Sequence, residues 1–166
     1  MSNNLLYDFS QIPIPVDAVD EEQVAQPRPW NISEIMRFIL YIGPISSIFD
    51  YTTFFVMLWI FNCWDPSRAS VFQTGWFVES LMTQTLIIHV IRTTKIPFFE
   101  SRASWPLTAT TLAIMAVGMG LPYTPLASSL GLTPLLRTYW PILMTTLLCY
   151  MGLTQLIKVW LRKNWI

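Results

Sequence analysis

Between Phe38 and Phe61 the chain carries a single charge, Asp50. As a helix, at about 1.5 Å per residue, that run is roughly 36 Å long, enough to cross a bilayer with some tilt. Asp50 then lies about 18 Å from either end, near the midplane. An ionised carboxylate at that depth costs about 2.5–3.5 kcal/mol on insertion scales. A chain bears that cost inside a helix bundle, where the acid meets another polar group. Asp50 therefore points to several apolar helices packed together rather than to one isolated span.

Three further runs have spanning length. Val71–Ile91 is interrupted by Glu79 and ends near His89, Trp105–Tyr123 has no charge, and Trp140–Trp160 is bracketed by tryptophans. Those tryptophans would stand about 30 Å apart along a helix, the hydrocarbon thickness, and aromatic rings favour its two interfaces. Pro106 and Pro141 fall in first turns, where a missing amide proton matters little. Composition agrees, with 53% apolar and only 12% charged residues, against about 25% charged in soluble domains. The expected fold is all-α, a polytopic membrane bundle over 34–166 with four transmembrane helices at 36–62, 71–92, 104–123 and 139–161. Zero net charge excludes a basic nucleic-acid footprint, so the lipid bilayer, and no nucleic acid, is the expected partner. Cys63 would lie near a membrane face and Cys149 about 15 Å inside it, beyond disulfide reach, so both are expected to be free thiols.

Charge divides the connections. Arg28, Arg37, Arg92, Lys95, Arg102, Lys158, Arg162 and Lys163 fall on one side, and only Arg68 and Arg137 on the other. The positive-inside rule then makes both termini cytoplasmic and the protein a multi-pass component of the cell (inner) membrane. Residues 1–33 contain Asp17, Asp20, Glu21, Glu22 and four prolines. They lack the basic start and apolar core of a signal peptide and read as a solvated cytoplasmic loop or tail. Pro122, Pro125, Gly131 and Pro134 predict an irregular, solvated loop over 122–138. Ala109, Ala113, Ala116 and Gly120 form a small-residue face suited to close helix packing.

Several polar groups fall within the spans. Asp50 has Ser46, Ser47 and Thr53 on its helical face, and Pro44 frees the carbonyl of Leu40 and predicts a kink. Asp50 reads either as part of a cation or proton relay or as a hydrogen-bond anchor that fixes helix register. Glu79 admits the same two readings, with Thr83 and Gln84 as nearby partners. His89 reads as a polar tip snorkelling at an interface. Asn4 and Asp8 share a helical face at i, i+4, and their hard oxygens suit magnesium or calcium. From the residues alone they equally fit an exposed tail.

Asn4-Leu5-Leu6-Tyr7-Asp8, the stretch from Gly43 to Asp50, Phe72 to Glu79 and Arg92 to Phe98 together resemble the C-terminal membrane region of magnesium-transporting P-type ATPases of the bacterial type. The resemblance runs from about Asn3 to the end of the chain. It implies that the four spans are that family's seventh to tenth helices, and that residues 1–33 hold a remnant of the sixth plus a cytoplasmic loop. Asn4 and Asp8 match the ligand positions of an Asn-Leu-x-x-Asp motif, so the resemblance implies that both face a transported Mg2+. Glu79 matches, less specifically, an acidic ligand on the eighth helix of the related calcium pump. Asp50 matches a position characteristic of the magnesium subgroup.

The chain contains no Asp-Lys-Thr-Gly phosphorylation motif and no Thr-Gly-Glu motif. Phosphoryl transfer needs a nucleophile, positioned phosphates and a metal, so the chain alone is expected to hydrolyse no ATP and to hold no cofactor. The expected role is a C-terminal fragment that supports the cation path of a magnesium importer, with the missing N-terminal part of the pump as partner. A second reading is a small membrane scaffold or regulatory subunit that docks on a full-length ATPase through the Ala109 face. A third is an independent proton or cation carrier built on Asp50 and Glu79.

Overall fold

The computed structural model describes residues 2–17, 32–93, 95–98 and 100–165. The expectations placed on Asp20, Glu21, Glu22 and Arg28 lie outside the described residues. The α-helices are α1 (Ser2–Gln11), α2 (Ile32–Phe55), α3 (Ala69–Ile91), α4 (Trp105–Gly120) and α5 (Tyr139–Trp165). Pro44 lies inside α2 without ending it. The helix widens into a π turn over Val56–Ile60, closed by the Phe61 amide donating to the Val56 carbonyl at 3.2 Å. Asn62 then takes a left-handed φ of 52° and turns the chain away, a conformation asparagine tolerates better than most residues. Asp65 starts the next element, its Oδ1 accepting from the Ser67 amide at 2.8 Å.

Among the described residues, three helical stretches are long and apolar enough to cross a membrane: Met36–Ile60, Trp105–Tyr123 and Tyr139–Lys163. The remaining long helix, α3, has 23 residues and the length to cross, but Gln73, Thr74, Glu79, Ser80, Thr83, Gln84, Thr85 and His89 make it more polar. Its place in the bundle explains how it bears them. Helices α1, α2, α4 and α5 all pack against α3, and most of its second half is buried. Its hydroxyls are satisfied within the helix: Thr74 donates to the Ser70 carbonyl at 2.6 Å, Thr83 to Glu79 at 3.1 Å and Thr85 to Leu81 at 2.7 Å. Such back-bonding removes the need for water.

Among the described residues two apolar clusters form, one joining the π turn to α3 and α5, the other joining α2 to α5. One gathers Met57, Phe61, Val78, Met82, Tyr139 and Leu143, the other Ile42, Ile45, Phe49 and Tyr150. Close approaches occur at glycines: a Cβ on Gly75 would lie 2.6 Å from Met57 Sδ, and one on Gly118 would lie 2.3 Å from Leu81 Cδ2. The small-residue face expected to pack is a different one. Ala113 and Ala116 are exposed, while Leu107, Thr111 and Gly118 form the buried face of α4. At about 100° per residue Gly118 lies roughly 200° round from Ala116.

The loop over 122–138 is more ordered than expected. Turns of 3-10 helix cover Leu121–Tyr123 and Pro125–Leu130, and Leu132 and Leu135 are buried. The Thr133 amide donates to Thr74 Oγ1 at 2.9 Å, and the Tyr139 hydroxyl donates to the Gly75 carbonyl at 2.6 Å. Cys63 is buried, Cys149 exposed, and both are free.

Candidate functional site

The polar groups of α3 converge with those of its neighbours in two places. The first lies midway along the bundle. Glu79 is 1% exposed, and neither carboxyl oxygen has a hydrogen-bond partner among the described residues. The Asp50 carboxyl, on α2, stands close enough to act on it electrostatically, as do the Tyr139 and Tyr150 phenols of α5. Asp50 accepts a hydrogen bond from the Trp76 indole at 3.3 Å. Ser46 and the Tyr150 hydroxyl pair at 3.1 Å. Two acids thus act on one another between α2 and α3, Glu79 buried and Asp50 only partly so, with hydroxyl groups nearby. Such hard oxygens suit a hydrated divalent cation or a proton.

The partners differ from those the sequence suggests. Ser47 donates to the Gly43 carbonyl at 3.4 Å rather than to Asp50. Gln84 donates to Ser80 Oγ at 3.0 Å, and Thr83 to backbone carbonyls, so neither meets the Glu79 carboxyl. His89 is not a snorkelling tip. It is 2% exposed, pairs with Thr111 Oγ1 at 2.8 Å and lies against the Phe98 ring at 5.0 Å.

The second place is the seat of α1. This helix packs on α3 and α4, and Asn3 Nδ2 donates to Ser80 Oγ at 3.2 Å. Asn3 and Asn4 line a cleft of about 420 Å³ with Gln73, Trp76, Ser80 and Gln84. Asn4 and Asp8 are both exposed, and among the described residues no hydrogen bond or ion pair joins them to Asp50 or Glu79. Nor do the described residues contain a group of three or more His, Cys, Asp or Glu side chains placed to hold a metal ion. The Asn4/Asp8 pair and the Asp50/Glu79 pair are therefore separate, and α1 comes nearest to Glu79 through the Asn3 contact with its neighbour Ser80.

Two clasps hold the Arg92 end of the bundle. Lys158 of α5 donates to the carbonyls of Val90, Thr93 and Lys95 at 3.0, 3.3 and 3.0 Å, capping the end of α3. A cation there also complements the helix dipole. Asp17, past α1, pairs with Arg92 and accepts from the Ser104 amide at the start of α4 at 2.7 Å. Burial alone would raise the Asp17 pKa, but the Ser104 amide and the Arg92 guanidinium outweigh it and hold the carboxyl below its ordinary range. Asn3, Ser80 and Tyr150 gave no signal in the sequence, and Trp76 stands there only as one residue of the Phe72 to Glu79 stretch. Each reads there as an ordinary polar or aromatic residue, and only helix packing brings it to the site.

The family model described as cation transporting ATPase, C-terminus, matches residues 2–160. A magnesium-transporting ATPase, P-type 1, of Salmonella typhimurium (strain 14028s) is 54% identical over 155 residues, covering 93% of this chain. A protein of the same description from Escherichia coli K12 is 52% identical, and another from S. typhimurium LT2 is 47% identical, with the same coverage. The chain spans 17% of the length of these curated relatives.

Proposed function

We propose a function from one premise: the chain belongs to the family of cation-transporting ATPase C-terminal regions. It is a multi-pass membrane chain of the kind its magnesium-transporting relatives carry, and it contains no phosphorylation motif of its own. In our reading α2 to α5 are four transmembrane helices, the seventh to tenth of the pump, over 34–166, and α1 within 1–33 is the end of the sixth. Both termini lie in the cytoplasm of a cell whose inner membrane holds the bundle. The bundle supports the ATP-driven import of Mg2+ by completing a cation path whose first half lies in the rest of the pump.

The observation that carries this reading is the seating of α1 on α3, beside the residue that follows Glu79. Asn4 and Asp8 supply hard oxygen ligands from α1, and Glu79, with Asp50 behind it, supplies carboxyl oxygen from α3. Mg2+ keeps several of its waters and accepts one or two carboxylates, so so few acids suffice when the remaining ligands are water or oxygens from the rest of the pump. The test uses vesicles. The chain alone is expected to show no ATP-dependent Mg2+ uptake, and Asp8→Ala is expected to abolish uptake when the chain is joined to the rest of the pump. Full uptake by the Asp8→Ala pump would remove Asp8 from the path. Co-purification with an intact, full-length ATPase, which transports without this chain, would favour the scaffold reading, for which the exposed Ala113 and Ala116 leave a face available.

A further inference from the structure

We infer that Asp17 is a positioning residue, whose carboxylate clasps the segment after α1 to the junction of α3 and α4 and so fixes the seat of α1 on the bundle. The functional weight of that seat rests on the reading of Asn4 and Asp8 as ion ligands; the seat itself does not. Asp17 uses both oxygens. Oδ2 accepts from Arg92 Nε, and Oδ1 accepts from the Ser104 amide at 2.7 Å. Arg92 is held in turn by Ser101 Oγ at 3.2 Å and the Arg102 carbonyl at 3.4 Å. The side chains of Arg92 and Asp17 are 9% and 6% exposed. One carboxylate therefore ties the end of α3, the start of α4 and the chain leaving α1.

The chain between Asp17 and α1 has little slack. Asp17 stands six residues past Gln11, and Pro13 and Pro15 fix φ at two of the intervening positions. The Ser10 hydroxyl donates to the Tyr7 carbonyl at 2.6 Å, the Ile12 amide to Phe9 at 3.4 Å, and the Val16 and Asp17 amides to Pro13 and Ile14, both at 3.1 Å. A shift at Asp17 must then pass to α1 rather than be absorbed. At the far end of α1, Asn3 meets Ser80 at 3.2 Å. That contact reports the seat directly. A general structural role for Asp17 would loosen the whole bundle, whereas a positioning role loosens α1 alone.

The experiment is disulfide trapping in membranes, using the full chain with Cys63→Ser and Cys149→Ser. Asn3→Cys with Ser80→Cys reads the seat of α1. Thr74→Cys with Thr133→Cys, whose parent residues meet at 2.9 Å, reads packing at the opposite end. Adding Asp17→Ala is expected to cut trapping at the first pair by about tenfold or more, as expected when one partner of a buried ion pair is removed. It should leave the second pair unchanged. Asp17→Glu, which keeps the charge, is expected to recover part of the yield. Unchanged trapping at the first pair, equal loss at both pairs, or no recovery with Asp17→Glu would each overturn the proposal. Trapping needs neither Mg2+ nor transport, so its outcome is independent of whether Asn4 and Asp8 bind the ion.

Discussion

Glu79 is the residue whose chemistry is least balanced by its surroundings, since its carboxyl is buried with no hydrogen-bond partner among the described residues. Burying an unpartnered polar group opposes folding. Glu79→Gln keeps the volume and removes the acid, so we expect it to melt in detergent at or above the parent temperature while abolishing Mg2+ uptake by the joined pump. A large drop in melting temperature would mean that the acid has a structural partner. Lys158→Met is expected to act in the opposite sense. It strands carbonyls at the end of α3 and should destabilise the bundle by about 1–3 kcal/mol, read by denaturant titration. Asp17 makes the seating of α1 depend on acid. The charged and titratable groups that act on it from α3 are Arg92 and His89. Its folded pKa lies below the ordinary 3.8, so its contribution is complete above that value and is lost as pH falls through the lowered folded value. Hydrogen exchange of the α1 amides should speed up across that acid range for the parent and change less for Asp17→Asn. At this scale the sequence exposed the acids, because a charge inside an apolar run is conspicuous. It hid their partners. Trp76 sits 26 positions from Asp50 and Asp17 sits 75 from Arg92, so local spacing carries no trace of either contact.

Among the elements, α3 organises the rest. Its neighbours on every side let it carry a glutamate, two glutamines and a histidine where a lipid-facing helix could not. Unbroken apolar runs ended by tryptophans, prolines and charges are visible without reference to tertiary structure, and among the described residues the long apolar helical stretches are Met36–Ile60, Trp105–Tyr123 and Tyr139–Lys163. The other expected run, 71–92, falls on α3, which is not among them. Helix rotation was not legible. The alanine face of α4 is as regular as any packing motif, yet Gly118 makes the close approach to Leu81. In a helix that is apolar all round, periodicity does not mark the buried side. Gly118→Val should therefore overpack the α3–α4 contact and destabilise by about 1–3 kcal/mol. Ala116→Val, on the exposed face, should change stability little. Combining Gly118→Val with Leu81→Ala is expected to recover much of the loss in a double-mutant cycle, and additive losses would contradict the contact.

For the whole molecule, the bundle is closed at both ends by specific polar contacts rather than by apolar packing alone. Lys158 and Asp17 secure one end, and Thr74 with the buried 122–138 segment secures the other. Family membership was legible because several motifs from Asn4 to Phe98 agree at once, whereas each alone is weak. The relation of α1 to the bundle was not, since no local pattern links Asn3 to Ser80, 77 positions away. The most direct measurement is ATP-dependent Mg2+ uptake in vesicles that contain this chain together with the remaining portion of a magnesium-transporting relative. The account expects uptake with both parts present, none with either alone, and loss on Asp8→Ala. Uptake by the remaining portion without this chain, at the rate seen with it, would contradict the claim that the chain completes the cation path.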